Sequence, residues 1–147
     1  MSYTRLTCHC TFSTKERVRA LDENTRARLH PYLAGIIDKD FGHALQVGGT
    51  DDHVHVLCDL RPTVAVADFL RDVKSVSSGW MHREFPRLRD VTWQDGYAAF
   101  SVSASATPAV VDYIQNQRVH HQRLSFQEEF RLLLEKHGIE FDERYLL

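Results

Sequence analysis

Two histidines two positions apart, His53 and His55, are the residues of this 147-residue chain best placed to do chemistry. The run that follows, residues 56–60, is mostly apolar and predicts a buried β-strand. Because alternate side chains of a strand share a face, both imidazoles point the same way, while Val54 and Val56 point the other way. Two imidazoles on a rigid strand make half of a divalent-metal site. The alternative is a pair of polar residues on a solvated strand face.

Composition limits the class of protein. The length predicts a single domain over residues 1–147, and 43% hydrophobic with 26% charged residues is ordinary for a soluble globular chain. No apolar run of about 18 residues exists, so we expect no membrane span. Three cysteines are too few for a disulfide scaffold, and we expect a cytoplasmic protein. With a net charge of −2, any nucleic-acid site must be a local patch.

Periodicity along the chain predicts six alternating elements followed by two helices. Strands are predicted over residues 3–12, 43–47, 53–60 and 97–103. Four helices are predicted. The first begins near residue 22, and the second begins after a cap at Thr63. The third spans 107 to about 122, and the fourth begins with a capping box at Ser125 and ends at Gly138. Pro31 predicts a kink in the first helix, or its true start.

The order β-α-β-β-α-β is the ferredoxin-like pattern. We therefore expect an α+β fold with an antiparallel sheet and two additional C-terminal helices, the first of which carries Tyr113. In such a fold two helices cover one face of the sheet. The other face is left for a ligand or for the added helices, and His53 and His55 belong on it, since their valine neighbours suit the covered face.

The third predicted helix adds two more candidate residues. Tyr113 and Gln117 are four apart, so they share a helix face. If this helix lies over the open sheet face, Gln117 can bring a third ligand oxygen towards His53 and His55, and Tyr113 can point its hydroxyl at whatever the metal binds. The alternative is an amphipathic helix whose tyrosine is half-buried packing.

These residues together resemble a known family. His53-Val54-His55 on the third strand is similar to the HUH motif (histidine, hydrophobic residue, histidine), and Tyr113 with Gln117 is similar to that family's nucleophile and third metal ligand. Further supporting stretches are residues 12–15, 93–103 and 120–130. The resemblance spans nearly the whole chain. It is to the single-tyrosine HUH transposases of small insertion sequences that move as single-stranded DNA.

The resemblance implies a transposase that cuts and rejoins single-stranded DNA through a 5′-phosphotyrosine intermediate. Its catalytic set would be Tyr113, His53, His55 and Gln117, with Mg²⁺ or Mn²⁺ held by the two histidines and the glutamine. It implies recognition of hairpins at element ends, and a bacterial or archaeal, nucleoid-associated protein. It also implies a homodimer in which the tyrosine helix of one chain completes the histidine site of the other, with residues 103–106 as a hinge. A tyrosine acting on its own chain is the alternative.

Basic side chains are the candidates for holding the DNA strand. They lie after the first strand and on the second helix, where a solvated helix face is the alternative: Lys15, Arg17, Arg19, Arg71 and Lys74.

Two other functions stay open at this point. One is a metal-dependent phosphohydrolase that uses His53 and His55 with a water nucleophile, for which Tyr113 would be dispensable. The other is a catalytically retired module that binds hairpins and needs no metal.

Overall fold

The computed structural model describes residues 1–121 and 123–146 and has the α+β architecture that the sequence predicts. Its strands are β1 (Thr7–Ser13), β2 (Gly42–Gly49), β3 (His53–Leu60) and β4 (Ala98–Ser101). Its helices are α1 (Glu23–Asp40), α2 (Val66–Glu84), α3 (Thr107–Gln115), α4 (Gln117–His120) and α5 (Phe126–Lys136). Within these residues, each helix is too short or too polar to cross a bilayer.

The four strands form one antiparallel sheet in the order β2-β3-β1-β4, which is the ferredoxin-like order. Strand β3 therefore lies inside the sheet, between β2 and β1. Across the β1–β3 ladder, Thr11 pairs with His55 and Ser13 pairs with His53. The histidine-bearing strand is held on both sides, so its side chains have fixed directions.

Helices α1 and α2 cover one face of the sheet and form the larger core. Val54 and Val56 are fully buried in it, which confirms the predicted alternation along β3. Because these valines face α1 and α2, His53 and His55 face the opposite side. Other fully buried members of this core are Phe12, Leu29, Leu33, Ile37, Phe69, Leu70 and Val73.

The C-terminal helices cover the second face, with a smaller core between α5 and β4. Ala98 and Phe100 of the strand pack against apolar residues of the helix. The helical members of this cluster are Phe126, Phe130, Leu133 and Leu134. The face that carries the histidines is therefore closed by helices, and polar groups there must find partners within the protein.

The predicted third helix is not continuous. It breaks at Asn116, whose φ of −100° and ψ of 24° are not helical, and so becomes α3 and α4. The asparagine side chain donates to the carbonyl oxygen of Asp112 at 2.8 Å, and its own N–H donates to the same oxygen at 3.1 Å. Such local bonding by asparagine competes with helix continuation. Gln122, where the helix was predicted to end, lies outside the described residues.

Other boundaries also differ from the prediction. Helix α1 runs through Pro31, which is exposed, so the missing backbone donor is tolerated without ending the helix. Helix α2 begins at Val66 with Ala65 at its N-cap, and Thr63 provides no cap. Strand β1 begins at Thr7 rather than at residue 3, and the residues before it are exposed, although the carbonyl oxygen of Leu6 still accepts a hydrogen bond from the N–H of Leu60 at 3.0 Å.

Gly48 of β2 allows helix α3 to approach the sheet closely. A Cβ atom at this position would lie 2.6 Å from the carbonyl oxygen of Ile114 and 2.7 Å from its Cγ2. Both distances are too short for any side chain, and the nearer contact is with backbone. Ile114 is adjacent to Tyr113, so this glycine sets the distance between the tyrosine helix and the sheet.

We predict that Gly48→Ala lowers the free energy of unfolding by about 1–3 kcal/mol, because α3 must shift away from β2. Urea unfolding followed by circular dichroism measures this. The matched control is Gly35→Ala on α1, where a Cβ meets nothing within 4 Å. That change should be neutral or stabilising, by up to about 1 kcal/mol. Equal stability of the two variants would contradict the close approach.

Candidate active site

His53 lies fully buried at the start of β3, among three oxygen-bearing side chains. Its Nδ1 is 2.7 Å from a carboxylate oxygen of Asp52 and 3.2 Å from the hydroxyl of Thr50. Its Nε2 faces the side-chain oxygen of Gln117 at 2.9 Å. A carboxylate beside Nδ1 fixes the ring orientation and the proton on that nitrogen.

His55 is also fully buried, with its ring centroid 5.1 Å from that of His53. Its Nε2 lies 2.9 Å from Oε1 of Glu129, and its Nδ1 lies 2.7 Å from Nε2 of His9. Burial lowers the pKa of His55. Burial, with the nearby charge of His55, lowers the pKa of His9 to about 3, so His9 is neutral at physiological pH.

Glu129 of α5 joins the other members of the site. Its Oε2 accepts a hydrogen bond from the hydroxyl of Tyr113 and another from Nε2 of Gln117 at 3.2 Å. His121 Nε2 lies 3.2 Å from the same oxygen. Burial alone would raise the pKa of this carboxyl group, but His121 and His55 outweigh burial and hold the pKa of Glu129 well below its usual range. The carboxylate is therefore ionised, although the residue is only 2% exposed.

The sequence prediction did not assign Glu129 or His9 to the site. A signal for Glu129 was present, since it lies on the apolar stripe of α5, three residues after Phe126 and one before Phe130. A carboxylate on such a stripe must be paired when the helix docks. Alternation placed His9 on one face of β1, but that pattern could not indicate its partner across the sheet.

Tyr113 reaches the histidines of its own chain. Its ring centroid lies 5.8 Å from that of His55 and 6.2 Å from that of His9. Within this single chain the tyrosine therefore lies beside the histidines of its own sheet, which is the placement that the cis alternative requires. Burial and the adjacent Glu129 carboxylate raise the pKa of the Tyr113 hydroxyl well above its usual range. The hydroxyl is therefore protonated and directed into the cluster.

The donor set fits a divalent metal ion. A nitrogen of His53, a nitrogen of His55 and a carboxylate oxygen of Glu129 all lie within 4.8 Å of one another. Gln117, the predicted third ligand, is adjacent through its contact with His53. Two imidazoles and a carboxylate suit Mn²⁺ and related ions.

The five basic residues predicted to hold DNA differ in their surroundings. Arg71 is exposed and pairs with Asp68 and Asp72 of its own helix at 3.1 Å each. Lys74 instead donates to the carbonyl oxygens of Gln94 and Gly96 at 2.6 and 2.8 Å, so it is held within the fold. Burial lowers the pKa of Lys74. The other three are exposed at or after the 3₁₀ turn that follows β1: Lys15, Arg17 and Arg19.

Two cavities border opposite ends of the cluster. One, of about 670 Å³, lies beside Asp52 and His121 and is rich in arginine. Its arginines are Arg17, Arg19, Arg26, Arg118 and Arg123. The other, of about 500 Å³, lies beside Tyr113, Glu129 and His9 and is mostly apolar. The buried cluster can therefore be approached from a basic side and from an apolar side.

Curated proteins similar to this chain are transposases. The ISDra2 transposase TnpA of Deinococcus radiodurans is 25% identical over 118 residues, which is 77% of this chain and 84% of that protein. The transposase for insertion sequence element IS200 of Salmonella typhimurium is 26% identical over 124 residues, which is 80% of this chain and 81% of that protein.

Solved structures agree on the fold. A crystal structure of a transposase from Deinococcus radiodurans R1 superposes with a TM-score of 0.66 at 25% identity, over 79% of this chain and 93% of that one. A REP-associated tyrosine transposase bound to a REP hairpin gives a TM-score of 0.61 at 17% identity, over 84% and 73%. The family described as "Transposase IS200 like" matches residues 2–117. Since this is well over half of the sequence, the chain belongs to the IS200-like transposase family.

Proposed function

We propose that this protein cuts and rejoins single-stranded DNA through a covalent bond to Tyr113, assisted by a divalent metal ion. The observation that carries the proposal is the hydroxyl of Tyr113, which is hydrogen-bonded into the buried cluster of His53, His55 and Glu129. Membership of a transposase family supports it. We further propose that residues 1–147 act as one domain in the cytoplasm of a bacterium or archaeon.

The arrangement around His53 favours a cation in the site. With its proton on Nδ1, facing Asp52, the lone pair of Nε2 faces the oxygen of Gln117, which is also an acceptor. Two lone pairs at 2.9 Å repel unless a proton or a metal ion lies between or beside them. A bound ion would satisfy both atoms.

His55 has the same requirement, and His9 can meet it. To ligate an ion through Nε2, the nitrogen that faces Glu129, His55 must carry its proton on Nδ1. Because His9 is neutral, its Nε2 can accept that proton as a hydrogen bond from His55 at 2.7 Å. Glu129 Oε1 then completes the ligand set with His53, His55 and Gln117. We propose Mn²⁺ or Mg²⁺ as the ion, with the imidazoles favouring Mn²⁺.

The residues of the site then share the work of a transesterification. An ion bound there would polarise the scissile phosphate and stabilise the charge that develops on it. Glu129 Oε2 holds the tyrosine hydroxyl in place. The oxygen of Tyr113 loses its proton and forms a bond to phosphorus, the bond from phosphorus to the 3′ oxygen breaks, and that oxygen takes up a proton and leaves as a 3′ hydroxyl, so a 5′-phosphotyrosine remains. The reverse reaction with a 3′ hydroxyl rejoins the strand, and no external energy source is needed.

The arginine-rich cavity is our candidate for the path of the DNA backbone. It includes the predicted Arg17 and Arg19, and Arg118 and Arg123 add to them from the C-terminal region. Arginine binds phosphates with a planar array of donors. The five arginines outnumber the acidic side chains that also line the cavity, Glu16, Asp51 and Asp52, and this local excess of positive charge lets a chain with a net charge of −2 attract DNA. The REP-associated tyrosine transposase, whose fold is similar, was solved bound to a REP hairpin, and this supports a DNA hairpin as the substrate here.

We also propose a homodimer, in which the tyrosine helix can act on either chain. Residues 103–106 form an exposed turn between β4 and α3, with small side chains throughout. Such a connection can change direction at low cost and let α3 leave its own sheet.

Tyr113→Phe should bind DNA and Mn²⁺ as the wild type does but form no covalent adduct, because only the hydroxyl is removed. Labelled single-stranded oligonucleotides incubated with Mn²⁺ and analysed on denaturing gels measure the adduct. Cleavage that persists in this variant would favour a phosphohydrolase with a water nucleophile.

Glu129→Gln should weaken Mn²⁺ binding by about tenfold or more, because affinity for hard cations rises with the number of charged ligands. Isothermal titration with Mn²⁺ measures this. Its neighbour Glu128 is exposed, and Glu128→Gln is the matched control, which should bind Mn²⁺ normally. Identical affinities in the two variants would remove Glu129 from the ligand set.

His9→Phe keeps an aromatic ring against Phe100 and Tyr113 but removes the acceptor for His55. We predict about 10- to 100-fold weaker Mn²⁺ binding, as for other residues that orient a metal ligand. In His9→Gln the amide oxygen can accept the hydrogen bond from His55, so this variant should recover part of the lost affinity for Mn²⁺. Unchanged affinity in His9→Phe would show that His55 needs no such partner.

Mixing Tyr113→Phe chains with His53→Ala chains tests how the tyrosine acts. If it acts on the partner chain, one site of the mixed dimer has both defects and the other has none, so adduct formation returns. If it acts on its own chain, every site is defective and activity stays lost. Subunit exchange, shown by mass spectrometry, is the required control.

A further inference from the structure

The apolar cavity beside Tyr113 has no role in the chemistry described so far. It lies between α3 and α5 and has a volume of about 500 Å³. The surface that lines it is mostly apolar, and Leu132 at its edge is 51% exposed, so apolar area is open to a ligand there. The aliphatic lining residues include Val102, Ala109, Val110, Leu124, Leu132 and Leu133.

The cavity also contains hydrogen-bonding groups at defined places. Tyr113 and Glu129 lie at its inner end, so the nucleophilic oxygen is part of its wall. Other polar groups in its wall are Ser101, Ser103, His120, Lys136 and His137. The imidazole of His137 stacks on Phe100 at 4.2 Å and is therefore held in one orientation. An apolar slot with a few fixed polar groups is the usual construction of a site for a flat heteroaromatic ligand.

We propose that this cavity binds the base of the nucleotide that becomes joined to Tyr113, a proposal that rests on the proposed function. When the tyrosine oxygen bonds to phosphorus and the 3′ oxygen leaves, the nucleotide on the 3′ side stays attached through its O5′ atom. That nucleoside is then only a few bonds from the tyrosine ring. The cavity that opens at this ring is where its unpaired base can lie.

The chemistry of the two cavities separates base from backbone. The arginine-rich cavity suits phosphates, whereas the other cavity presents mainly apolar surface, which suits the face of a base, and has, among the described residues, a single lysine, Lys136, in its wall. An unpaired base also offers edge groups that serine and histidine can recognise. Held there, the covalently joined 5′ end stays aligned while a new 3′ hydroxyl enters. The cavity would also give the protein a base preference at the cleavage position.

The first test uses a nucleotide without any cleavage. The probe is 2-aminopurine deoxyriboside 5′-monophosphate, whose fluorescence changes when the base is buried. Ala109→Trp places an indole in the cavity from an exposed position of α3, and Ala27→Trp makes the same change at an exposed position of α1. We expect binding to weaken by about tenfold or more in Ala109→Trp and to be unchanged in Ala27→Trp.

Leu132→Ser is a second variant that opens the cavity wall instead of filling it, and it should also weaken binding. Circular dichroism verifies that all three variants are folded. Equal binding of the nucleotide by wild type and Ala109→Trp would overturn the proposal, and so would no detectable binding to the wild type.

The second test uses oligonucleotides of random sequence. The nucleotide attached to Tyr113 in the adduct is identified by nuclease digestion and mass spectrometry. The proposal predicts a biased base at this position in wild type and in Ala27→Trp, and loss of the bias or of the adduct in Ala109→Trp. Adduct without bias overturns the base pocket and leaves the proposed function intact. Nucleotide binding without any adduct would support the base pocket and contradict the proposed transesterification.

Discussion

The ionised carboxylate of Glu129, buried against the sheet, is the interaction on which the rest of the site depends. A buried charge costs several kcal/mol unless it is paired and hydrogen-bonded. Here it contacts His55 on β3, Tyr113 on α3 and Gln117 on α4. One side chain of α5 thereby ties three other elements together. Any rearrangement of the helical layer must find new partners for this charge, so the site and the layer are stable together.

The ferredoxin-like sheet makes that arrangement possible because one of its faces is buried in the apolar core and the other carries the residues of the site. One face buries Val54 and Val56 under α1 and α2, and this core stabilises the fold without polar groups. The same alternation directs His53 and His55 to the other face, where apolar area is smaller and polar contacts are dense. Stability and chemistry thus lie on opposite sides of one strand. Changes in the helical layer can alter the chemistry with little effect on the larger core.

Local patterns predicted much of this arrangement. The H-x-H spacing on an apolar run predicted the strand, its face and the histidine pair, and the capping box at Ser125 predicted a helix start that the structure has. The proximity of Tyr113 and Gln117 to the histidines followed from helical spacing together with the family resemblance. These features depend on residues close in sequence, which periodicity can describe.

The remainder depends on contacts between distant parts of the chain. Glu129 is 74 residues from His55, and His9 is 46 residues from it, so neither pairing has a local signature. The break at Asn116 arises from a side chain competing for a carbonyl of its own helix, which propensity alone does not resolve. Lys74 was predicted to hold DNA, but its ammonium group donates hydrogen bonds to the carbonyl oxygens of Gln94 and Gly96. These residues follow it by about 20 positions, so no local pattern indicates the contact.

The central claim is that the buried cluster binds a divalent ion through both strand histidines. Electron spin echo envelope modulation of Mn²⁺ bound to protein carrying ¹⁵N-labelled histidine tests this directly, because it detects nitrogen atoms that ligate the ion. The account predicts couplings from two histidine nitrogens in the wild type, and from one in either His53→Ala or His55→Ala. Bound Mn²⁺ without histidine couplings would contradict it.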